Sequence, residues 1–311
     1  MEDLPTVDQS SANQSSEPLP QLPFFQRIPP VPFAIISLCI VFFLYQGVGG
    51  IIALVMIQGM VTEENVILVR WSTLVGQLLL ILVPTLVLAR LRHLEFVNYF
   101  RLKLPDYKEI LATVVAVFAL QQILQGYMMF QDSFPLPHEL RNIVDKLREL
   151  LEQTYKLLVL AHSPLEFVFV VLIVALTPAV CEELLFRGLV QRSFESAVGG
   201  LRAAVIAGII FGAYHLNPFS FVPLVVLGIY FGFIVHRSHN ITVAISAHFV
   251  NNFIACAAVY LQLDDDYVAV APMGEVTPFL LVANYAVFGV VFLLATYYFL
   301  SVTKSVICTD E

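Results

Sequence analysis

Cys181-Glu182-Glu183-Leu184-Leu185-Phe186-Arg187-Gly188 sets two adjacent carboxylates and an arginine inside an apolar stretch, and this placement decides how the chain is read. The residues before it, Phe167 to Val180, carry no charge and predict a membrane helix. Ionisable side chains at hydrocarbon depth are costly unless they pair or face a wet cavity, so such a cluster points to function. Glu183 and Arg187 stand four residues apart, the spacing at which helical side chains pair. Glu182 is rotated about 100° from Glu183 round a helix and has no cation of its own on that turn. A desolvated carboxylate held in this way suits a general base.

Outward from this run, composition gives the setting. Of 311 residues, 59% are hydrophobic and 13% charged, and the mean hydropathy is +0.82. This is the composition of a polytopic membrane protein. Apolar stretches at Phe33–Ile57, Ser72–Ala89, Ile110–Phe130, Leu165–Val190, Leu201–Leu216, Phe221–Val235, Ile241–Leu261 and Phe279–Val302 predict an all-α bundle of about eight transmembrane helices. The fifth and sixth are short and bounded by Asn217-Pro218 and Pro223, which leaves a re-entrant or tilted pair open.

Five regions follow. Residues 1–32, rich in Ser, Asn, Gln and Pro, read as a disordered cytoplasmic tail that is neither a signal nor a transit peptide. Residues 33–136 hold the N-terminal transmembrane helices, and 137–164 form an amphipathic helix with Leu140, Ile143, Leu147, Leu150 and Leu151 at helical spacing. Residues 165–261 carry the charged cluster, and 262–311 supply the last transmembrane helix and a short tail.

Eleven of the sixteen Lys and Arg fall on one side if the N-terminus is cytoplasmic, which predicts a multi-pass protein with both termini inside. The acidic run Asp264-Asp265-Asp266 then lies outside. A net charge of -8 argues against a nucleic-acid partner and leaves the lipid bilayer as the evident surroundings. The four cysteines show neither disulfide nor zinc-finger spacing, and Cys308, fourth from the end, is followed by Thr309 and Asp310 rather than by aliphatic residues.

Two further intramembrane polar positions join the cluster. His215 follows Phe211-Gly212-Ala213-Tyr214, and His248 and Asn252 share one face of the seventh stretch. Folding an antiparallel hairpin at Gly199-Gly200 brings Glu182 and His215 to similar depth, each about 24 Å of helix from the turn. His248 lies only about 12 Å from its own turn near Asn240, a mismatch that the sequence does not settle. Small residues including Ala207, Gly208, Gly212 and Gly228 leave two readings open, close helix packing or room for a hydrated cavity.

Glu182-Glu183 with Arg187, Phe211 with His215, and His248 with Asn252, in that order on apolar stretches, resemble the pattern of the CAAX protease and bacteriocin-processing (CPBP, or ABI) family of intramembrane proteases, related to the Ras-converting CAAX endopeptidase. The matched core runs from about Leu165 to Ala258. The resemblance implies an endopeptidase acting on a membrane-associated protein or peptide substrate. Glu182 would activate water, with His215, His248 and Asn252 as catalytic partners and Glu183 and Arg187 as the structural pair behind them. His215, His248 and Glu182 are also the ligand types of a catalytic zinc site with an open water position, although the His-Glu-x-x-His signature is absent. Both mechanisms stay open, as do a proton- or cation-coupled transporter and a non-catalytic bacteriocin-immunity-like membrane protein. The lack of an internal repeat weighs against the transporter, and the intact catalytic residue types weigh against the immunity-like protein.

Overall fold

The computed structural model describes residues 24–57, 59–92, 96–135, 137–263 and 278–303. The expectations for residues 1–23, for the acidic run at 264–266 and for Cys308 lie outside them. The chain is an all-α polytopic membrane protein. In order the long helices are α1 (Pro30–Ile57), α2 (Val66–Arg92), α3 (Tyr107–Asp132), α4 (His138–Val159), α5 (Pro164–Val198), α6 (Gly200–Tyr214), α7 (Phe221–Ser238), α8 (Ile241–Tyr260) and α9 (Pro278–Val302). Among the described residues, seven helices are long and apolar enough to cross a membrane, and α6 is a shorter apolar helix beside them.

The stretch expected to be unstructured up to residue 32 is corrected at its C-terminal end. Phe24–Arg27 forms a helical turn and α1 starts at Pro30. Proline suits the first turn of a helix, where its missing N–H has no intrahelical partner to lose. Arg92 Nη1 donates to the Ile28 carbonyl at 2.7 Å and ties this segment to the end of α2. Likewise α2 starts at Val66, ahead of the apolar stretch from Ser72, because the charge of Arg70 is buried and paired rather than a terminator.

Arg70 is only 2% exposed. It donates to the carbonyls of Leu157 (3.2 Å), Leu158 (3.0 Å) and Leu160, and to Glu166 Oε1 at 2.6 Å. The last carbonyls of a helix have no intrahelical donor, so this one guanidinium completes the C-terminal end of α4 and ties it to the start of α5. Farther back on α4, Arg148 pairs with Asp132 at the end of α3 and lies 4.9 Å from the centre of the Phe219 ring. The amphipathic helix is thereby fixed at two points, while Leu140, Ile143, Leu147 and Leu150 stay exposed, a face that suits lipid.

The helices α6 and α7 run closely side by side. A Cβ on Gly208 would lie 2.5 Å from the Ile229 backbone nitrogen, and one on Gly228 would lie 3.0 Å from Gly208 Cα. Close packing is therefore what these small residues provide at this interface.

The sharp turn into α6 falls at Gly199, whose φ of 82° suits glycine. Gly199 is exposed, whereas Asn240, at the turn between α7 and α8, is 4% exposed and Ile241 is fully buried. The second turn is seated inside the protein, which brings His248 to the depth of the glutamates from a shorter run of helix.

Replacing Arg70 with Met keeps the stem but leaves three carbonyls and Glu166 without their donor. We expect a loss of about 3–5 kcal/mol, the cost of breaking a buried pair, measured by unfolding in detergent. An unchanged unfolding midpoint would show that Arg70 is not the anchor.

Candidate functional site

Pro178 shapes the helix that carries the two glutamates. Its ring has no N–H and crowds the carbonyl four residues back, and α5 accommodates it with the π-helical turn Val171–Leu176. A second π-helical stretch, Leu184–Gln191, begins directly after Glu183. Such i→i+5 turns recur at functional sites in helices. Here the second has a visible use. Glu183, Arg187, Gln191 and Glu195 are spaced by four, and in a pure α-helix each step would drift about 40° round the axis. The wider turn offsets that drift and keeps the series directed at α7. Arg187 Nη2 donates to Gly228 O at 2.8 Å, and Gln191 Nε2 donates to Gly232 O at 3.0 Å. Glu195 in turn accepts from Gln191 and from Arg101.

Glu183 is fully buried, and one oxygen serves two partners. Its Oε1 accepts from Arg187 Nη1 at 2.9 Å and from His248 Nδ1 at 2.9 Å. A carboxylate only accepts, so Nδ1 of His248 carries a proton and Nε2 is left for other contacts. Three rings surround the Arg187 guanidinium, with centroids at 4.6 Å (Phe211), 5.5 Å (Phe231) and 5.9 Å (Phe186), within the range of cation–π attraction. Phe231 also stacks on His248, at 5.3 Å between centroids.

Glu182 points elsewhere. Its Oε2 lies 3.6 Å from His215 Nε2 and has no hydrogen-bond partner in the protein. His215 Nδ1 is 2.7 Å from the carbonyl of Phe211, which assigns the proton to Nδ1 and a lone pair to Nε2. Two acceptors thus face one another across the gap. Asn252 Nδ2 donates to the carbonyl of Val174 at 3.1 Å, the carbonyl four residues before Pro178, whose ring has no N–H to offer it. Its Oδ1 accepts from Asn251 Nδ2 at 3.0 Å, while the Asn251 carbonyl takes a 2.9 Å bond from Gln121 on α3.

Glu182, His215, His248 and Asn252 line a single cavity of about 230 Å³, together with Asn251 and Tyr155 of α4. The structure therefore brings all four residues with expected catalytic roles to one place, with Glu183 and Arg187 packed behind them. Pro178, Asn251 and Tyr155 were not singled out from the sequence. A proline four residues before Glu182 is the one signal that could have pointed to the freed carbonyl. Tyr155 lies on a helix distant in sequence and gives no such signal.

His248 is bound to Glu183, so its Nδ1 does not share the Glu182–His215 gap. Among the described residues, no three His, Cys, Asp or Glu side chains converge in a way that could hold a metal ion. In the arrangement described, Glu182, His215 and His248 are not drawn together closely enough to hold zinc, and no step of the reaction is routed through a metal.

Residues 164–254 match the model of the Type II CAAX prenyl endopeptidase Rce1-like family. The match spans α5, α6, α7 and most of α8, and so contains every residue of the three sequence motifs. No curated protein and no solved structure matches the chain. This match, over 91 of the 311 residues, supports the family resemblance read from the motifs and, with it, a CAAX-type membrane protease.

The two glutamates should separate by stability. Glu183→Ala or Arg187→Ala leaves a buried charge without its partner and should cost about 3–5 kcal/mol. Glu182→Ala removes a carboxylate that has no partner on Oε2 and should cost far less. Thermal unfolding in detergent reads the difference, and equal losses for all three would overturn the division.

Proposed function

We propose that this protein is an intramembrane endopeptidase that hydrolyses a peptide bond in a membrane-associated protein or peptide, using water activated by Glu182. The observation that supports the reading best is the pair of acceptors, Glu182 Oε2 and His215 Nε2, 3.6 Å apart on the wall of a cavity shared with His248 and Asn252. That separation is too long for a direct hydrogen bond. A water between the two can donate one hydrogen to each, leaving a lone pair for the carbonyl carbon of the substrate.

As the water oxygen forms its bond to that carbon, its proton passes to Glu182 and the carbonyl oxygen becomes an oxyanion. Asn252 keeps one Nδ2 hydrogen on Val174 O and has the second for the oxyanion. His248 donates from Nε2 when its ring carries both protons. Each donor of this kind is worth about 3–4 kcal/mol in other hydrolases. Collapse of the intermediate breaks the C–N bond, and the proton held by Glu182 goes to the departing amine. The products are a carboxylic acid and an amine, so atoms and charge balance without a further reactant. The family's name speaks of a CAAX prenyl substrate. For this chain, assay of matched prenylated and unmodified membrane-anchored peptides reads the preference. The distribution of basic residues favours both termini on the cytoplasmic side.

Glu182→Gln keeps the shape of the side chain and removes the base. Peptide cleavage should fall by at least about 100-fold, the lower end of general-base contributions, with unfolding unchanged. Activity near wild type would overturn the assignment. Pro178→Ala restores an N–H that competes with Asn252 for the Val174 carbonyl. We expect kcat to fall by about tenfold, the worth of one net hydrogen bond, without loss of stability, and an unaltered kcat would show that Asn252 does not depend on that bond. Metal-free protein, verified by elemental analysis, should retain full activity after prolonged chelation. Loss that only zinc restores would replace this mechanism with a metal-assisted one.

A further inference from the structure

A second cavity, of about 250 Å³, lies on another side of the same carboxylate. Glu182 and His215 line both cavities, whereas Tyr45, Gln46 and Tyr214 line the second and not the first. The Glu182–His215 pair therefore forms part of the partition between them. On one side lie His248 and Asn252, the groups suited to a peptide carbonyl. The other side is lined by α1 and the end of α6, with Ile81 of α2 and Leu185 and Phe186 of α5, and there Gln46 Nε2 donates to the Tyr214 carbonyl at 3.3 Å.

Two buried oxygens on this second cavity's lining residues have no hydrogen-bond partner in the protein, Glu182 Oε2 and Tyr214 Oη. Buried polar atoms left unpaired by protein are ordinarily satisfied by internal water. The space exceeds many times the roughly 10–15 Å³ that a single water requires, and its polar lining supplies the two to four partners that hold one.

We propose that the second cavity is a binding site for the co-substrate water, which it holds and delivers to Glu182 from the side opposite the peptide. This rests on the hydrolytic reading above and adds the source of the water to it. A peptide seated in the 230 Å³ cavity occupies the space through which water would otherwise reach the carboxylate on that side. Each turnover consumes one water, and the chamber replaces it without requiring the peptide to leave. Tyr214 and Gln46 act as positioning residues for water and do not touch the substrate.

Hydration can be read without any proteolysis by hydroxyl-radical footprinting of the intact protein in detergent, because radicals generated from internal water oxidise the rings beside it. Phe186 lines the chamber and Phe100 lines none of the cavities described here, yet each is 1% exposed. We expect Phe186 to be oxidised several-fold faster than Phe100. Equal rates would show a dry chamber and overturn the proposal even if the protein is a protease. In the peptide assay, Tyr214→Phe and Gln46→Leu should each lower kcat by about tenfold, the worth of one net hydrogen bond, with KM unchanged. A raised KM with unchanged kcat would make the cavity a peptide subsite and overturn the proposal. Fast oxidation of Phe186 with no cleavage by wild-type protein would leave the water site standing and reject the protease reading on which its role depends.

Discussion

The rest of the architecture depends on a charge that has no route to water. Arg187 and Glu183 are both buried within the bundle, and each cancels what would otherwise be a prohibitive desolvation cost for the other. Their pairing is within one helix, but its consequences run across four. The second arm of the guanidinium takes the Gly228 carbonyl on α7, its faces meet Phe211 of α6 and Phe231 of α7, and the carboxylate takes the His248 imidazole on α8. Moving α7 or α8 would leave a buried donor or acceptor unsatisfied, and moving α6 would take a ring from the face of the guanidinium. The ion pair therefore acts as a clamp that fixes the orientation of His248, while Glu182, one residue away, is turned toward the cavity.

Irregular backbone does a large part of the positioning. Pro178 has no N–H to donate, and the carbonyl of Val174 four residues before it is the fixed point for the amide of Asn252. In a hydrocarbon setting a freed backbone group has to find a partner within the protein, so the interruption and the asparagine form one device. The π-helical stretch after Glu183 works similarly, by keeping a four-residue series of polar side chains facing the glycine carbonyls of α7. Close approach of α6 and α7 at Gly208 and Gly228 makes those carbonyls reachable.

The cavity is completed from outside the matched residues 164–254. Tyr155 reaches it from α4, a helix held by Arg70 at its end and by Arg148 nearer its middle. The helices of residues 164–254 carry Glu182, His215, His248 and Asn252, while α1, α3 and α4 supply walls and second partners: Gln46, Gln121 and Tyr155. Polar groups from α1, α3 and α4 thus meet those of the core helices inside an otherwise apolar bundle.

The sequence by itself determined the class of fold, because a run of about twenty apolar residues is long enough to span a bilayer as a helix. It also determined that Glu182, Glu183, Arg187, His215, His248 and Asn252 belong together, since ionisable and polar groups on apolar helices need one another. The pairing of Glu183 with Arg187 was legible too, as four-residue spacing is a local property of the helix. Beyond that, locality gives out. The double use of Glu183 by Arg187 and His248, the turn of Asn252 toward Val174, the choice of close packing at Gly208, and the depth at which the α7–α8 turn is seated all depend on contacts between helices far apart in the chain. Tertiary structure decided them because apolar helices have many faces of similar hydrophobicity. Only the simultaneous satisfaction of buried charges, freed carbonyls and glycine contacts selects one rotation and one depth for each.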